Sequence, residues 1–172
     1  NTDANLVMSG ATFRNVLDLR NGYGGSVTNT VFEQQVILNT PRFSGFVLSN
    51  NQFQGLVTLD HNLSAAVTRT NNQYNGGIRV HPELVGVIEN GGNVLGPTES
   101  IRVLSRSRVI AQSVTWAPYA ATSVVRFDSD GGTSFFDRLI LVRSGATLTI
   151  ASGMTVSDTF NGGSTLWVND DN

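Results

Sequence analysis

The chain has 172 residues, 14% of them charged and 40% hydrophobic, a length that holds one domain or two small ones around a real core. All 11 cations are Arg and stand against 13 carboxylates for a formal net charge of −2, so a broad basic surface for nucleic acid is not expected. The absence of Cys removes disulfides and thiolate metal sites, and no apolar run approaches the roughly 20 residues that membrane insertion needs.

From the N-terminus, which lacks an initiator Met and reads as part of a longer or processed product, the chain repeats itself. Aromatics stand at Phe13, Phe32, Phe53 and Tyr74, at spacings of 19, 21 and 21 residues, each three residues after Gly10, Asn29, Asn50 or Asn71. Ser9, Thr28, Ser49 and Thr70 form a hydroxyl column one residue earlier. Two apolar columns follow, Leu17, Val36, Val57, Ile78 and Leu19, Leu38, Leu59, Val80. Between and beyond them lie mostly polar residues, so the period of two predicts a short strand with an inward and an outward face. A second strand precedes each aromatic, best seen in Leu6-Val7-Met8 and Phe46-Val47-Leu48. Turns are expected at Asn21-Gly22, Gly24-Gly25, Thr40-Pro41, Ser44-Gly45 and Asn75-Gly76-Gly77.

Units of this length fit one coil of a parallel β-solenoid, in which equal positions stack about 4.8 Å apart. Asn29, Asn50 and Asn71 are expected to form an inward amide ladder, and Phe13, Phe32, Phe53 and Tyr74 an aromatic one. The segments V-T-N-T-V-F, L-S-N-N-Q-F-Q-G and R-T-N-N-Q-Y-N-G-G resemble coils of the pectate-lyase-like right-handed parallel β-helix, over about residues 5 to 81.

Past Pro82 the columns decay, and the region from Gly86 to Asn90 reads as a degenerate fifth coil. Strands are predicted at residues 101–104, 113–116, 123–127, 135–142, 147–150, 154–156 and 164–168. Turn signals break them at Ser129-Asp130-Gly131-Gly132, Ser144-Gly145, Ser152-Gly153 and Asn161-Gly162-Gly163. The expected architecture is all-β, with a right-handed parallel β-helix over 1–95 and a small antiparallel β-sandwich-like domain over 96–172 that caps the solenoid and drives trimer formation.

A β-helix followed by a small all-β module, in a chain without Lys or Cys, resembles the C-terminal part of a bacteriophage tailspike. That resemblance implies a homotrimer on the virion tail, outside the cell, that binds bacterial surface polysaccharide, either capsule or O-antigen. No cofactor, no nucleic-acid partner and no membrane insertion is expected. A secreted polysaccharide lyase or glycoside hydrolase of the same fold is the alternative.

The saccharide-binding candidates are Arg20, Asn39, Asp60 and His81, an outward column on successive rungs, with Arg79 beside them. There Asp60 and His81 would be neighbours able to hold sugar hydroxyls or share a proton, or else an ordinary solvated face. No catalytic pair stands out. Asp18 and Asp60 are separated by two rungs, Glu33 lies near a turn, and Glu83 or Glu89 is unconstrained, whereas glycoside cleavage needs carboxyls about 5 to 9.5 Å apart. Asp128-Ser129-Asp130-Gly131 begins like a calcium loop without its later ligands, and two His are too few for a histidine metal site, so no metal is expected. Arg102, Arg106 and Arg108 fit a solvated edge strand or salt bridges across a subunit boundary, with a small cationic stripe as the lesser alternative. Tyr23, Trp116, Tyr119 and Trp167 are stacking or core aromatics.

Overall fold

The computed structural model describes residues 4–20, 23–39, 45–62, 65–106, 108–128, 139–158 and 165–168. The expected turns at Asn21-Gly22, Thr40-Pro41, Ser129 to Gly132 and Asn161 to Gly163 lie outside them, as do strand residues 135–138 and Ser44. The protein is all-β; among the described residues the helical segments are two 3-10 stretches, Pro82–Val87 and Asn90–Gly92. The chain divides into two compact units, Asn1–Ile78 with Val87–Thr98, and Arg79–Gly86 with Glu99–Asn172.

The first unit is a parallel β-solenoid whose full coils carry three strands each. They are β1 (Ala4–Ser9), β2 (Thr12–Phe13) and β3 (Leu17–Arg20), then β4 (Tyr23–Thr28), β5 (Val31–Phe32) and β6 (Val36–Asn39). The third coil holds β7 (Phe46–Ser49), β8 (Gln52–Phe53) and β9 (Val57–Leu59); the fourth holds β10 (Val67–Thr70), β11 (Gln73–Tyr74) and β12 (Ile78–Val80). A fifth coil contributes β13 (Val94–Leu95). Strands stack in parallel as β1-β4-β7-β10, β2-β5-β8-β11-β13 and β3-β6-β9. The sequence columns are therefore rungs: Leu17 faces Val36, which faces Val57, and Leu19 faces Leu38, which faces Leu59.

The aromatic ladder stands as expected. Phe32 and Phe53 stack with centroids 5.0 Å apart and planes 5° off parallel, and Phe53 and Tyr74 follow at 5.4 Å and 16°. Phe13 tilts 58° against Phe32 and is only half-buried, because it belongs to the first coil. In the fifth coil Leu95 takes the ring's place, paired with Tyr74, so that coil lies further along the chain than Gly86 to Asn90.

The amide ladder is inward, but one residue later than expected. Asn29, Asn50 and Asn71 are exposed and left-handed, with φ of 51°, 55° and 53°; Gly10 and Gly92 fill the same corner at 64° and 76°. That column is Asn or Gly because these residues tolerate a positive φ that costs other L-residues roughly 1–2 kcal/mol. The corner turns the next residue into the core, where Asn51, Asn72 and Asn93 are 0%, 0% and 3% exposed. Asn51 Nδ2 donates to Asn72 Oδ1, and Asn72 Nδ2 to Asn93 Oδ1, both at 2.9 Å. Each Oδ1 also accepts a backbone N–H from the coil before it: Thr30 to Asn51, Asn51 to Asn72 and Asn72 to Asn93, at 3.0 to 3.1 Å. Each Nδ2 donates again to a strand carbonyl, of Val27, Leu48 or Arg69. A buried amide left unmatched would cost several kcal/mol, and here both of its polar atoms are used.

Gly24-Gly25 is not a turn but part of β4, where a Cβ on Gly25 would lie 2.2 Å from the carbonyl oxygen of Leu6. Glycine at this position lets two coils approach backbone to backbone.

The second unit also stacks in parallel, and the expected antiparallel sandwich does not occur among its described residues. It contains β14 (Ile101–Leu104), β15 (Arg108–Ile110), β16 (Val114–Trp116), β17 (Val124–Asp128), β18 (Leu139–Val142), β19 (Leu148–Ile150), β20 (Thr155–Asp158) and β21 (Thr165–Val168). The Arg79–Val80 end of β12 pairs with β14, which pairs with β17, which pairs with β20. β15, β18 and β21 form another stack, and β16 pairs with β19. The turns at Ser144-Gly145 and Ser152-Gly153 are corners between sheets: the chain leaves β18 for β19 and β19 for β20, each in a different sheet. Alternation within a strand is the same whether its neighbour runs parallel or antiparallel, which is why position was legible and pairing was not.

The 3-10 segment Pro82–Val87 is tied to this unit by side chains. Trp116 Nε1 donates to Pro82 O at 2.9 Å, and the Tyr119 hydroxyl to Val85 O at 2.6 Å. Glu83, 1% exposed, accepts from the backbone N–H groups of Ala111 and Gln112 at 2.6 and 3.1 Å.

Candidate functional site

Arg20 at the end of β3 pairs in register with Asn39 at the end of β6. The side chain of Arg20 lies outside the described residues, and that of Asn39 is half-buried. Asp60 follows β9 directly, and its N–H donates to Leu38 O at 2.8 Å. Arg20, Asn39 and Asp60 belong to the first unit, Arg79 and His81 to the second.

Two members depart from the expected solvated face: Asp60 is 8% exposed and His81 7%. Strand alternation ends at these positions. Asp60 leads into His61, itself buried, and His81 leads into the 3-10 segment, where its Nδ1 accepts from the N–H of Glu83 at 3.3 Å. Both are built into the framework rather than presented on an open strand.

Arg79 is held by an acid that no sequence spacing suggested. Its Nε and Nη2 lie 3.0 and 2.8 Å from Asp128 Oδ2. The two side chains are 17% and 15% exposed, so this pair is less screened than a surface ion pair.

The register adds an arrangement that the sequence reading missed. Arg79 faces Arg102, and Arg102 faces Arg126, on three successive rungs of one sheet. Their neighbours along the strands, Val80, Ile101, Val103, Val125 and Phe127, are buried, so the arginines occupy the opposite, outward face. The signal was present as an apolar-Arg-apolar triplet in Ile78-Arg79-Val80, Ile101-Arg102-Val103 and Val125-Arg126-Phe127. The alternative stripe of Arg102, Arg106 and Arg108 does not form on one face, because Arg102 is on β14 and Arg108 on β15 of another sheet; Arg108 Nη1 donates to Arg106 O.

The acids weighed for catalysis have other partners or positions. Glu33 is exposed and lies 3.5 Å from Arg14, Glu89 accepts from the N–H of Leu95 at 3.2 Å, and Asp18 is exposed on β3 in register with Ile37. Trp116 is fully buried against Phe127 at 6.3 Å, a core residue. The side chains of Tyr23 and Trp167, and residues 129–131 of the calcium-like sequence, lie outside the described residues. Among the described residues no three His, Asp or Glu gather into a metal site, and no helix is long and apolar enough to cross a membrane.

Three polar side-chain pairs join neighbouring coils at the surface of the first unit, beside the exposed Val7, Val16 and Val94. Thr28 Oγ1 donates to Ser9 Oγ at 3.0 Å, Asn71 Nδ2 to Asn50 Oδ1 at 3.2 Å and Asn75 Nδ2 to Gln54 Oε1 at 3.5 Å, all exposed. Hydroxyls and amides thus recur on neighbouring rungs, an arrangement suited to a ligand that itself repeats polar groups. No protein-family model, curated protein or solved structure matches this chain.

Proposed function

We propose that the chain is a structural and adhesive β-solenoid, the distal part of a phage tailspike, which assembles as a homotrimer and recognises capsule or O-antigen polysaccharide outside the bacterial cell. The right-handed winding implied by the resemblance agrees with the handedness that chain chirality favours for parallel crossovers. The observation that carries the reading is the set of exposed hydroxyl and amide pairs that join neighbouring coils on a backbone spaced by strand stacking. Sugar hydroxyls are met best by donors and acceptors fixed in advance, since ordering long side chains on binding costs about 0.5–1.5 kcal/mol each.

Light scattering on the purified chain tests the assembly, and a screen against capsule and O-antigen polysaccharides tests the recognition. A trimer that retains at least one such polymer without shortening it is the expected result. A monomer that releases reducing ends from the polymer would overturn the proposal in favour of a secreted lyase or glycoside hydrolase.

A further inference from the structure

The arginine ladder is a feature the fold does not need. Like charges facing each other across strands are destabilising, yet Arg79, Arg102 and Arg126 occupy three consecutive rungs, which stack about 4.8 Å apart. Compensation is uneven. Arg79 is neutralised by Asp128 at 2.8 Å. Arg126 lies 3.8 Å from Glu99, whose side chain is 90% exposed and gives a weak, screened contact. Arg102 is exposed and carries no ion pair among the described residues. In the next rung Ser157 faces Arg126 and extends the polar column without an acid.

We infer that the Arg102 and Arg126 guanidinium groups, with Arg79 on the preceding rung held by Asp128, form a subsite for an acidic polysaccharide, its carboxylates taken up by adjacent rungs. The inference rests on the adhesive reading above and narrows its ligand class to uronate-bearing glycans. Three points favour a carboxylate polymer. The guanidinium fork matches a carboxylate bidentately, which an ammonium does not, and every cation of the chain is Arg. The ladder repeats along the stacking direction, as acid groups repeat along a polymer. Finally, the chain carries a formal charge of −2 and has no general attraction for polyanions, so uptake must come from a local array.

Affinity electrophoresis of the full chain in gels containing polygalacturonate, dextran sulfate or neutral dextran tests this. Retardation by polygalacturonate is expected, weakening with added salt. The double variant R102Q/R126Q should reduce it at least tenfold, while R143Q, which removes an exposed Arg from another part of the same unit, should leave it within twofold. Equal losses in the two variants, or retardation by dextran sulfate alone, would overturn the subsite. So would a wild-type chain that ignores polygalacturonate but binds a neutral capsule polymer, a result that leaves the adhesive reading standing; binding to no polysaccharide at all overturns both.

Discussion

In the first unit each rung returns after 19 or 21 residues, and the same side chains return with it: ring on ring, amide on amide, leucine on leucine. In the second unit one sheet advances from 102 to 126 and then to 157, and another from 109 to 141 and then to 167, so no period holds and no amide column is printed in the sequence. Both units stack strands in parallel. The first satisfies its turns with a repeated device, three buried asparagines that each accept a backbone N–H from the coil before. The second relies on single anchors such as Glu83 and Trp116, each holding one crossover. A regular period makes cooperative ladders possible, whereas variable coil lengths leave each corner to be solved separately.

Replacing the middle rung of the amide ladder tests that contrast most severely. Asn72→Leu keeps the volume but removes the acceptor of Asn51 N–H and Nδ2 and the donor to Leu48 O, all buried. With each orphaned group costing about 1–3 kcal/mol, a loss of roughly 3 to 5 kcal/mol is expected, read as a lower denaturation midpoint in urea or on heating. Glu83→Ala is the counterpart in the second unit. It removes the acceptor of the Ala111 and Gln112 N–H groups, and the loss should be smaller, about 1 to 2 kcal/mol, because both residues are exposed and the damage stops at one crossover. Limited proteolysis separates the two: cleavage spreading through residues 45–98 in Asn72→Leu, and cleavage confined near 105–113 in Glu83→Ala. A Glu83→Ala loss equal to that of Asn72→Leu would mean that the ladder adds nothing beyond its individual bonds.

The solenoid was legible because stacking turns a spatial neighbour into a fixed sequence offset, and Phe32, Phe53 and Tyr74 show that offset openly. The inward amide was misplaced by one residue because Asn50 and Asn51 have the same letter, and only φ separates the one that bends the chain from the one that faces the core. In the second unit seven of the strands were visible through alternation, while β15 was missed and the pairing was hidden, since offsets of 24 and 31 leave no column to find. The candidate site divided in the same way. The Arg20–Asn39 register followed from the period, but the ion pair of Arg79 with Asp128 joins residues 49 apart through a stack the sequence does not mark. The burial of Asp60 and His81 arises where strands end, beyond the reach of a period-two argument.

The aromatic ladder gives the smallest effect at neutral pH and one with the opposite sign. Tyr74 is fully buried at the fourth rung of the column, after three Phe, and among the described residues its hydroxyl has no hydrogen-bond partner. Burial, opposed by the Arg69 guanidinium, pushes its pKa up from 10.0 to about 12. Tyr74→Phe keeps the ring stacked on Phe53 and removes the unmatched polar group, so it should stabilise the protein by about 1 kcal/mol at pH 7, or roughly 2–4 °C in Tm for a chain of this size. The gap should widen in alkali. Below pH 10 the phenol is neutral in both folded and unfolded chains; between pH 10 and 12 only the unfolded chain releases the proton, so the wild type loses stability as pH rises and the Phe variant does not lose this share. The full difference is on the order of 2 to 3 kcal/mol. Melts of both proteins at pH 7, 10 and 11.5 read it directly. A variant that melts below the wild type at pH 7, with a constant gap across that range, would place a partner on the hydroxyl and cancel its role as an unmatched group in the stack.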